Sequence, residues 1–366
     1  MRLATPASTA AYAARYPNLP GHFRLLDGLT VSSLGLGTYL GQSTEQDDVR
    51  CRNAVLTCLQ AGVNLIDTAI NYRAQRAERS IGEALLQLHR LGMERQEVVL
   101  CTKAGYLPFD GTVPRDAEAY LRRTYIDSGL VPREAIVGGC HCLHPDYLRD
   151  QLQRSLRNAR IAAWDVFYLH NPETQLDEVS RQEFERRMVA AFALCEQLCS
   201  EGLIGRYGCA TWSGLLRPPT EQGHLSLERL CALAREAGGA GHRFRVVQLP
   251  LSLALDEALF RPTQRVGLKE RTVLQAAAEL GLSVICSGPL LQGKVLRRPL
   301  PERLRRPFVG LRRDSQRALQ FVRSAPGVVA VLCGMKDPAH LQENLEILAT
   351  APLGPEEFVA AFGPLP

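Results

Sequence analysis

The chain has 366 residues, 46% hydrophobic and 22% charged, with 43 basic against 38 acidic side chains and a formal net charge of +5. That balance suits a globular protein with a sizeable core, and no dense basic tract interleaved with aromatics points to nucleic acid as a partner. No run of about 18 apolar residues offers a membrane span, and eleven cysteines with no disulfide spacing, behind a start that lacks a signal-peptide apolar region, indicate reduced thiols in the cytoplasm.

Residues 1–22, rich in Ala, Pro and Thr, read as an extension ahead of a single domain over 23–366. The run from Phe23 to Val31 carries Asp27-Gly28 at its centre and reads as a β-hairpin. Short apolar runs then alternate with helical patterns. Strands are expected at 33–37, 65–67, 98–102, 166–169, 204–209, 246–249, 283–286 and 328–332. Helices are expected at 48–61, 78–89, 145–158, 182–201, 225–237, 269–280, 314–324 and 338–348. Eight strands each followed by a helix is the count of an α/β protein of the (β/α)8 TIM-barrel class. An open doubly wound sheet would show a third glycine after Gly35-Leu36-Gly37, where Thr38-Tyr39-Leu40 stand instead. Three connections, 104–145, 212–223 and 288–311, are long for a barrel and leave the carboxyl ends of strands. They are assigned to the substrate pocket and cofactor cover.

Four residues at strand ends carry the chemistry. Asp67 and Tyr72 follow the second strand, Lys103 closes the third and His170 the fourth. In a parallel barrel such positions meet around one mouth. A tyrosine beside a lysine, with a carboxylate and a histidine at hand, suits delivery of a proton to a carbonyl oxygen. A lysine ammonium lowers the pKa of a neighbouring phenol. Taken singly, each has a plainer reading: a loop cap, a rim aromatic, a surface cation and a satisfied polar group.

The segment from Gly62 to Ala69 with Tyr72, then Glu78 and Gly82, Thr102-Lys103, Tyr168-Leu169-His170 and Gln342-Glu343-Asn344 resemble, in this order, the aldo-keto reductases. The likeness runs from about Phe23 to about Leu348. It implies a hairpin plugging the barrel bottom and NADPH-dependent interconversion of an aldehyde or ketone with an alcohol. Tyr72 would be the general acid, Lys103 its activator, Asp67 the partner that holds Lys103, and His170 the group orienting the substrate oxygen. Gln248 matches the family's glutamine on the nicotinamide amide. Gly208-Cys209-Ala210-Thr211 departs from the usual Gly-x-Ser-Asn, leaving Thr211 and the backbone to grip that amide. Ser287, Leu290 and Gly293 match the loop after the seventh strand. Gly334, Met335, Lys336, His340, Glu343 and Asn344 would hold the adenosine end, with Asp337-Pro338 opening a helix.

A helix start after a glycine is a seat for phosphate, and Lys336 would meet a 2′-phosphate. No acidic residue in this motif offers itself to a bare ribose, so NADP(H) is expected over NAD(H). Trp212, Tyr106 and Phe109 are candidate pocket walls, while Trp164 ahead of its strand is better placed as packing at the barrel bottom. Cys140-His141-Cys142-Leu143-His144 is dense in metal-ligand types, but no second pair stands at finger spacing, so no metal is expected. Cys195, Cys199 and Cys231 fall at helical spacing and read as core. The alternative function is a cofactor-binding regulatory or subunit protein with little turnover, like the family's channel-associated β-subunits. A barrel lyase or isomerase with a phosphate site is a third reading. Nothing in the pattern specifies an oligomeric state.

Overall fold

The computed structural model describes residues 3–363. Its chain opens with α1 (Pro6–Ala14), capped by the Thr5 hydroxyl on the Ser8 amide, with Pro6 at the first helical position. Thr9 and Tyr12 are fully buried, and the Tyr12 hydroxyl donates to the Leu59 carbonyl at 2.6 Å. The leading segment is therefore docked onto the barrel. The hairpin follows as β1 (Phe23–Leu26) and β2 (Leu29–Ser32), paired antiparallel. Asp27 and Gly28 have φ of 44° and 84°, the pair of positive angles that a tight two-residue hairpin turn needs and that glycine adopts without strain. Asp27 also pairs with Arg206 at 3.0 Å and Arg245 at 3.8 Å, which ties the turn to the barrel floor.

Past the hairpin come β3 (Leu34–Gly37), α2 (Glu45–Gln60), β4 (Leu65–Asp67), α3 (Arg76–Leu85) and β5 (Val99–Ala104). The first long connection holds α4 (Ala117–Leu121) and a small antiparallel pair, β6 (Ile136–Val137) and β7 (His141–Cys142). Then follow α5 (Pro145–Ala159), β8 (Trp164–His170), α6 (Arg181–Ser200), β9 (Ile204–Ala210), α7 (Leu227–Gly238) and β10 (Phe244–Pro250). After α8 (Glu257–Phe260) a hairpin, β11 (Gln264–Val266) and β12 (Lys269–Arg271), leads into α9 (Val273–Glu279) and β13 (Ser283–Ser287). The chain ends with α10 (Glu302–Arg305), α11 (Asp314–Ser324), β14 (Val328–Gly334), α12 (Pro338–Leu345) and α13 (Pro355–Phe362).

Strands β3, β4, β5, β8, β9, β10, β13 and β14 close in that order into a parallel eight-stranded barrel. Two cores result. Inward side chains such as Leu65, Val99, Val166, Val246 and Ile285 fill the lumen with Leu26, Leu29 and Val31 of the hairpin. The larger core lies between strands and helices; there Phe192, Tyr207 and Phe244 pack with ring centroids 5.2–5.8 Å apart. At the floor the buried Asp165 carboxylate accepts from the Ala4 amide (2.6 Å), Arg95 (2.8 Å) and the Leu100 amide (2.8 Å).

The (β/α)8 expectation is met, and all eight expected strands are present, several extended by one to three residues. The helix expected over 269–280 begins only at Val273, because Thr272 caps it with Gln275 in a reciprocal box and the preceding residues turn back at Gly267 as a hairpin. Trp164 opens β8 at the barrel bottom, fully buried, and takes no part in the mouth. No helix among the described residues is long and apolar enough to cross a membrane, and all eleven cysteines are free.

Candidate active site

The parallel strands deliver their carboxyl ends to one rim. Asp67 ends β4, Lys103 is the penultimate residue of β5 and His170 ends β8; Tyr72 lies in the turn between β4 and α3. All four converge. Lys103 Nζ donates to Asp67 Oδ1 at 2.5 Å and to the Thr68 carbonyl at 2.8 Å, with both side chains of the ion pair buried. The same ammonium stands 5.1 Å from the centroid of the Tyr72 ring. Tyr72 meets His170 edge to face at 5.9 Å and Tyr39 at 5.0 Å.

The electrostatics follow from burial. Burial depresses Lys103, but Asp67 and Tyr72 outweigh it and raise the ammonium above its ordinary value. Burial raises Asp67, with Lys103 and Gln248 pulling it down. With ordinary values of about 10.4 and 3.9, the shared proton resides on the lysine. Burial likewise raises the Tyr72 phenol, and Lys103 offsets this only in part. Lys103 does lower the tyrosine, as the sequence suggests, but desolvation is the larger effect and the net shift is upward. His170 is held far below its usual range by burial and by the charge on Lys103, so its imidazole is neutral. Its Nδ1 has no partner among the described residues.

Two supports were not legible in the sequence. Beyond Tyr72 the chain runs through Arg73, Ala74 and Gln75 at φ of 52°, 52° and 70°, a left-handed turn that costs roughly 1–2 kcal/mol per non-glycine residue. Arg73 donates from Nε to the Gln42 carbonyl at 3.0 Å and pairs with Asp48; Gln75 Nε2 donates to the Phe109 carbonyl at 3.0 Å. These ties fix Tyr72. Behind His170, His141 Nε2 meets the His170 carbonyl at 2.7 Å, while His141 Nδ1 meets Gln175 Nε2 at 2.8 Å. Arg187 donates to Gln175 Oε1 at 2.6 Å. His141 is therefore spent on hydrogen bonds, and burial lowers it to about 4. No group of three potential metal ligands occurs among the described residues. A glycine makes the contact possible, since a Cβ on Gly105 would lie 2.5 Å from the His170 carbonyl oxygen.

The candidate walls separate. Tyr106 stands edge-on to His170 at 5.2 Å, its hydroxyl 3.2 Å from Asn171 Nδ2. Trp212 is 53% exposed, at the rim beside Gly288. Its amide and those of Ser213 and Gly214 all donate to the buried Glu173 Oε1, at 2.7, 3.1 and 3.2 Å. The Phe109 ring instead packs on Tyr120 at 5.6 Å.

Among the residues matched to a cofactor, Gln248 Nε2 donates to Asp67 Oδ2 at 2.8 Å, which links it to the ion pair. Thr211 is buried beside it, its amide 2.8 Å from the Gln248 carbonyl. Ser287 ends β13, and Leu290 and Gly293 lie in the turn after it. Gly334 ends β14, and Met335 is buried. His340 is exposed on α12. Asn344 Nδ2 reaches Cys333 Sγ at 3.5 Å, and Glu343 is engaged by Ser315. The start of α12 differs from a free phosphate seat, because Asp337 already accepts from the Ala339 and His340 amides at 3.0 and 3.2 Å. The absence of acids around this motif also fails in three dimensions. Asp47, from the first turn of α2, lies 2.5 Å from Lys336 Nζ.

With this geometry in view, the aldo/keto reductase family's sequence profile matches residues 33–306. The chain belongs to the aldo/keto reductase family, a family of oxidoreductases. An uncharacterized oxidoreductase of Bacillus subtilis is 22% identical over 91% of this chain and 92% of its own length. An NADH-specific methylglyoxal reductase of Escherichia coli is 26% identical over 50% of this chain and 49% of its own. A probable voltage-gated potassium channel β-subunit of rice is 31% identical over 42% and 38%. Among solved structures, the holo form of an aldo-keto reductase from Bacillus halodurans aligns with a TM-score of 0.62 at 22% identity, covering 93% of this chain and 94% of that one. An aldo-keto reductase from Klebsiella pneumoniae in complex with NADP and acetate aligns with a TM-score of 0.61 at 20% identity, covering 94% and 96%. These likenesses carry the fold.

Proposed function

We propose that this family member is an NADP(H)-dependent oxidoreductase that interconverts an aldehyde or ketone with an alcohol, working in the cytoplasm on a small molecule. The observation that supports it most is the buried Asp67–Lys103 pair set against Tyr72 and His170. A bound reduced nicotinamide would supply the hydride. The residues supply the rest. The raised pKa keeps the Tyr72 hydroxyl protonated at neutral pH, so it has a proton to give to a carbonyl oxygen. Lys103, held charged by Asp67, then stabilises the phenolate left behind. Neutral His170 orients the oxygen by a hydrogen bond. Gln248 and Thr211 would take the nicotinamide amide, with Ser287, Leu290 and Gly293 in the loop that would bind the cofactor. Gly334, Met335, Lys336, His340, Glu343 and Asn344 would hold the adenosine end, and the NADP bound in the Klebsiella relative supports that choice of nucleotide.

The unpartnered polar atoms at the rim, His170 Nδ1, Thr68 Oγ1 and Asn71 Oδ1, fit a polar ligand there. A regulatory role with little turnover has one observation in its favour: Ala210 brings no side-chain donor to the amide. Titration with NADPH and with NADH, followed by quenching of the rim tryptophan Trp212, tests the cofactor half. Repeated turnover of a carbonyl panel, lost in Tyr72→Phe, supports the enzyme. Tight nucleotide binding without turnover would support the regulatory reading, and binding of neither nucleotide would sink both.

A further inference from the structure

Lys336 follows β14 and precedes α12, half-buried, with 29% of its side chain exposed. Its ammonium is closed onto Asp47 Oδ2 at 2.5 Å. Asp47 belongs to a different part of the chain, the first turn of α2, and its side chain is only 6% exposed. The carboxylate is not placed there by chance of rotamer. Its Oδ2 also accepts from the Gln42 amide at 2.6 Å, and the Gln42 carbonyl is held by Arg73 Nε at 3.0 Å. The peptide at Gln42 is thus clamped between Asp47 and Arg73. Crowding around the pair is tight, since a Cβ on Gly41 would lie 2.8 Å from Asp47 Oδ2 and 3.0 Å from Lys336 Nζ. A second carboxylate, Asp337, is committed to the α12 amides directly beside Lys336.

We infer that Asp47 is a specificity-determining residue for the nucleotide, a carboxylate that competes with a ribose 2′-phosphate for the Lys336 ammonium and so narrows the preference for NADP(H) over NAD(H). This rests on the reading of Lys336 as the cation at the ribose end. A 2′-phosphate carries up to two negative charges and must either draw Lys336 off Asp47 or share it next to a fixed like charge. A bare 2′-hydroxyl meets neither obstacle, and a carboxylate accepts its hydrogen bond. The same pair that disfavours one nucleotide therefore leaves the other unaffected. The Gln42 clamp matters because it keeps the carboxylate from following the lysine.

The test is equilibrium binding, not activity. Dissociation constants for NADPH and NADH are measured by Trp212 quenching and by calorimetry at one ionic strength, for wild type, Asp47→Asn, Lys336→Ala and the double variant. Asp47→Asn keeps an acceptor for the Gln42 amide and removes the charge. The expected result is NADPH binding tightened about three- to fivefold, the size of one partly screened charge pair, with NADH changed less than about twofold. Lys336→Ala weakens NADPH alone. In the Lys336→Ala background the Asn substitution gives a clearly smaller gain, because only the repulsion from the fixed carboxylate is left to relieve and the competition for the ammonium is gone. A wild-type protein that binds neither nucleotide overturns the functional reading itself. Both nucleotides binding, with a ratio unmoved by Asp47→Asn, leaves that reading standing and overturns this inference. A gain of equal size in the Lys336→Ala background also overturns it, since the effect would then be plain repulsion without competition for the lysine.

Discussion

Replacing Lys103 by Met removes the ammonium from the centre of the site while roughly keeping its volume. Asp67 then stays buried with one charge-stabilising side chain, the Gln248 amide at 2.8 Å. Breaking one side of a buried ion pair costs about 3–5 kcal/mol. An independent bound comes from protonating the stranded carboxyl. Bringing an acid of ordinary pKa about 3.9 to the neutral form at pH 7 costs about 4 kcal/mol, at 1.36 kcal/mol per unit. The two routes agree, so the variant is expected to lose about 3–4 kcal/mol at pH 7. The pH dependence fixes the cause. Burial already raises Asp67, and loss of Lys103 raises it further, so the folded value exceeds the unfolded one. The cost is then complete above the folded pKa, shrinks as pH falls through it, and vanishes below the unfolded value. At pH 5 the remaining deficit is about 1.5 kcal/mol by the same arithmetic. Urea unfolding of wild type and variant at the two pH values measures it. A deficit under about 1 kcal/mol at pH 7, or one that does not shrink at pH 5, refutes the reasoning.

Three further outcomes are expected. His141 is neutral and buried, lowered by burial to about 4, so the unfolded chain binds its proton first as pH falls below the ordinary 6.5. Stability is lost between those values by up to about 3 kcal/mol, and His141→Gln, assayed by urea midpoint across pH 4–7, removes that part of the acid sensitivity. Glu173→Ala deletes the acceptor of the Trp212, Ser213 and Gly214 amides and should cost about 1.5–3 kcal/mol, with a change in the emission of Trp212; unchanged emission would mean the rim turn holds itself. Asp165→Ala strands Arg95 and two amides at the barrel floor, and thermal melting should show a loss of about 3–5 kcal/mol while nucleotide binding at low temperature is retained.

The barrel was legible because its strands are short apolar runs alternating with helical patterns, and because hydrophobic periodicity reports local structure. The meeting of Asp67, Tyr72, Lys103 and His170 was legible for a topological reason: residues at the carboxyl ends of parallel strands have one place to go. The supporting contacts were not. Asp47 and Lys336 are separated by most of the chain, and nothing local in either segment announces the other. The left-handed turn at Arg73-Ala74-Gln75 contains no glycine to signal it, since side-chain ties and not intrinsic preference hold it there. His141 stood among cysteines and read as a ligand type, but its partners, the His170 carbonyl and Gln175, come from elsewhere in the barrel. The sign of the Tyr72 shift depended on how deeply the site is buried, a quantity no spacing encodes.

The most direct measurement follows the hydrogen that reduction transfers. Wild type and Tyr72→Phe are incubated with NADPH deuterated at the transferred position and a panel of small aldehydes and ketones, and the alcohol products are analysed by mass. The account predicts deuterium on the carbinol carbon with wild type, a fall of about 10²–10⁴ in rate with Tyr72→Phe, and NADPH affinity unchanged between the two. Alcohol formed at similar rates by both proteins, or none formed by wild type with NADPH bound, would contradict it.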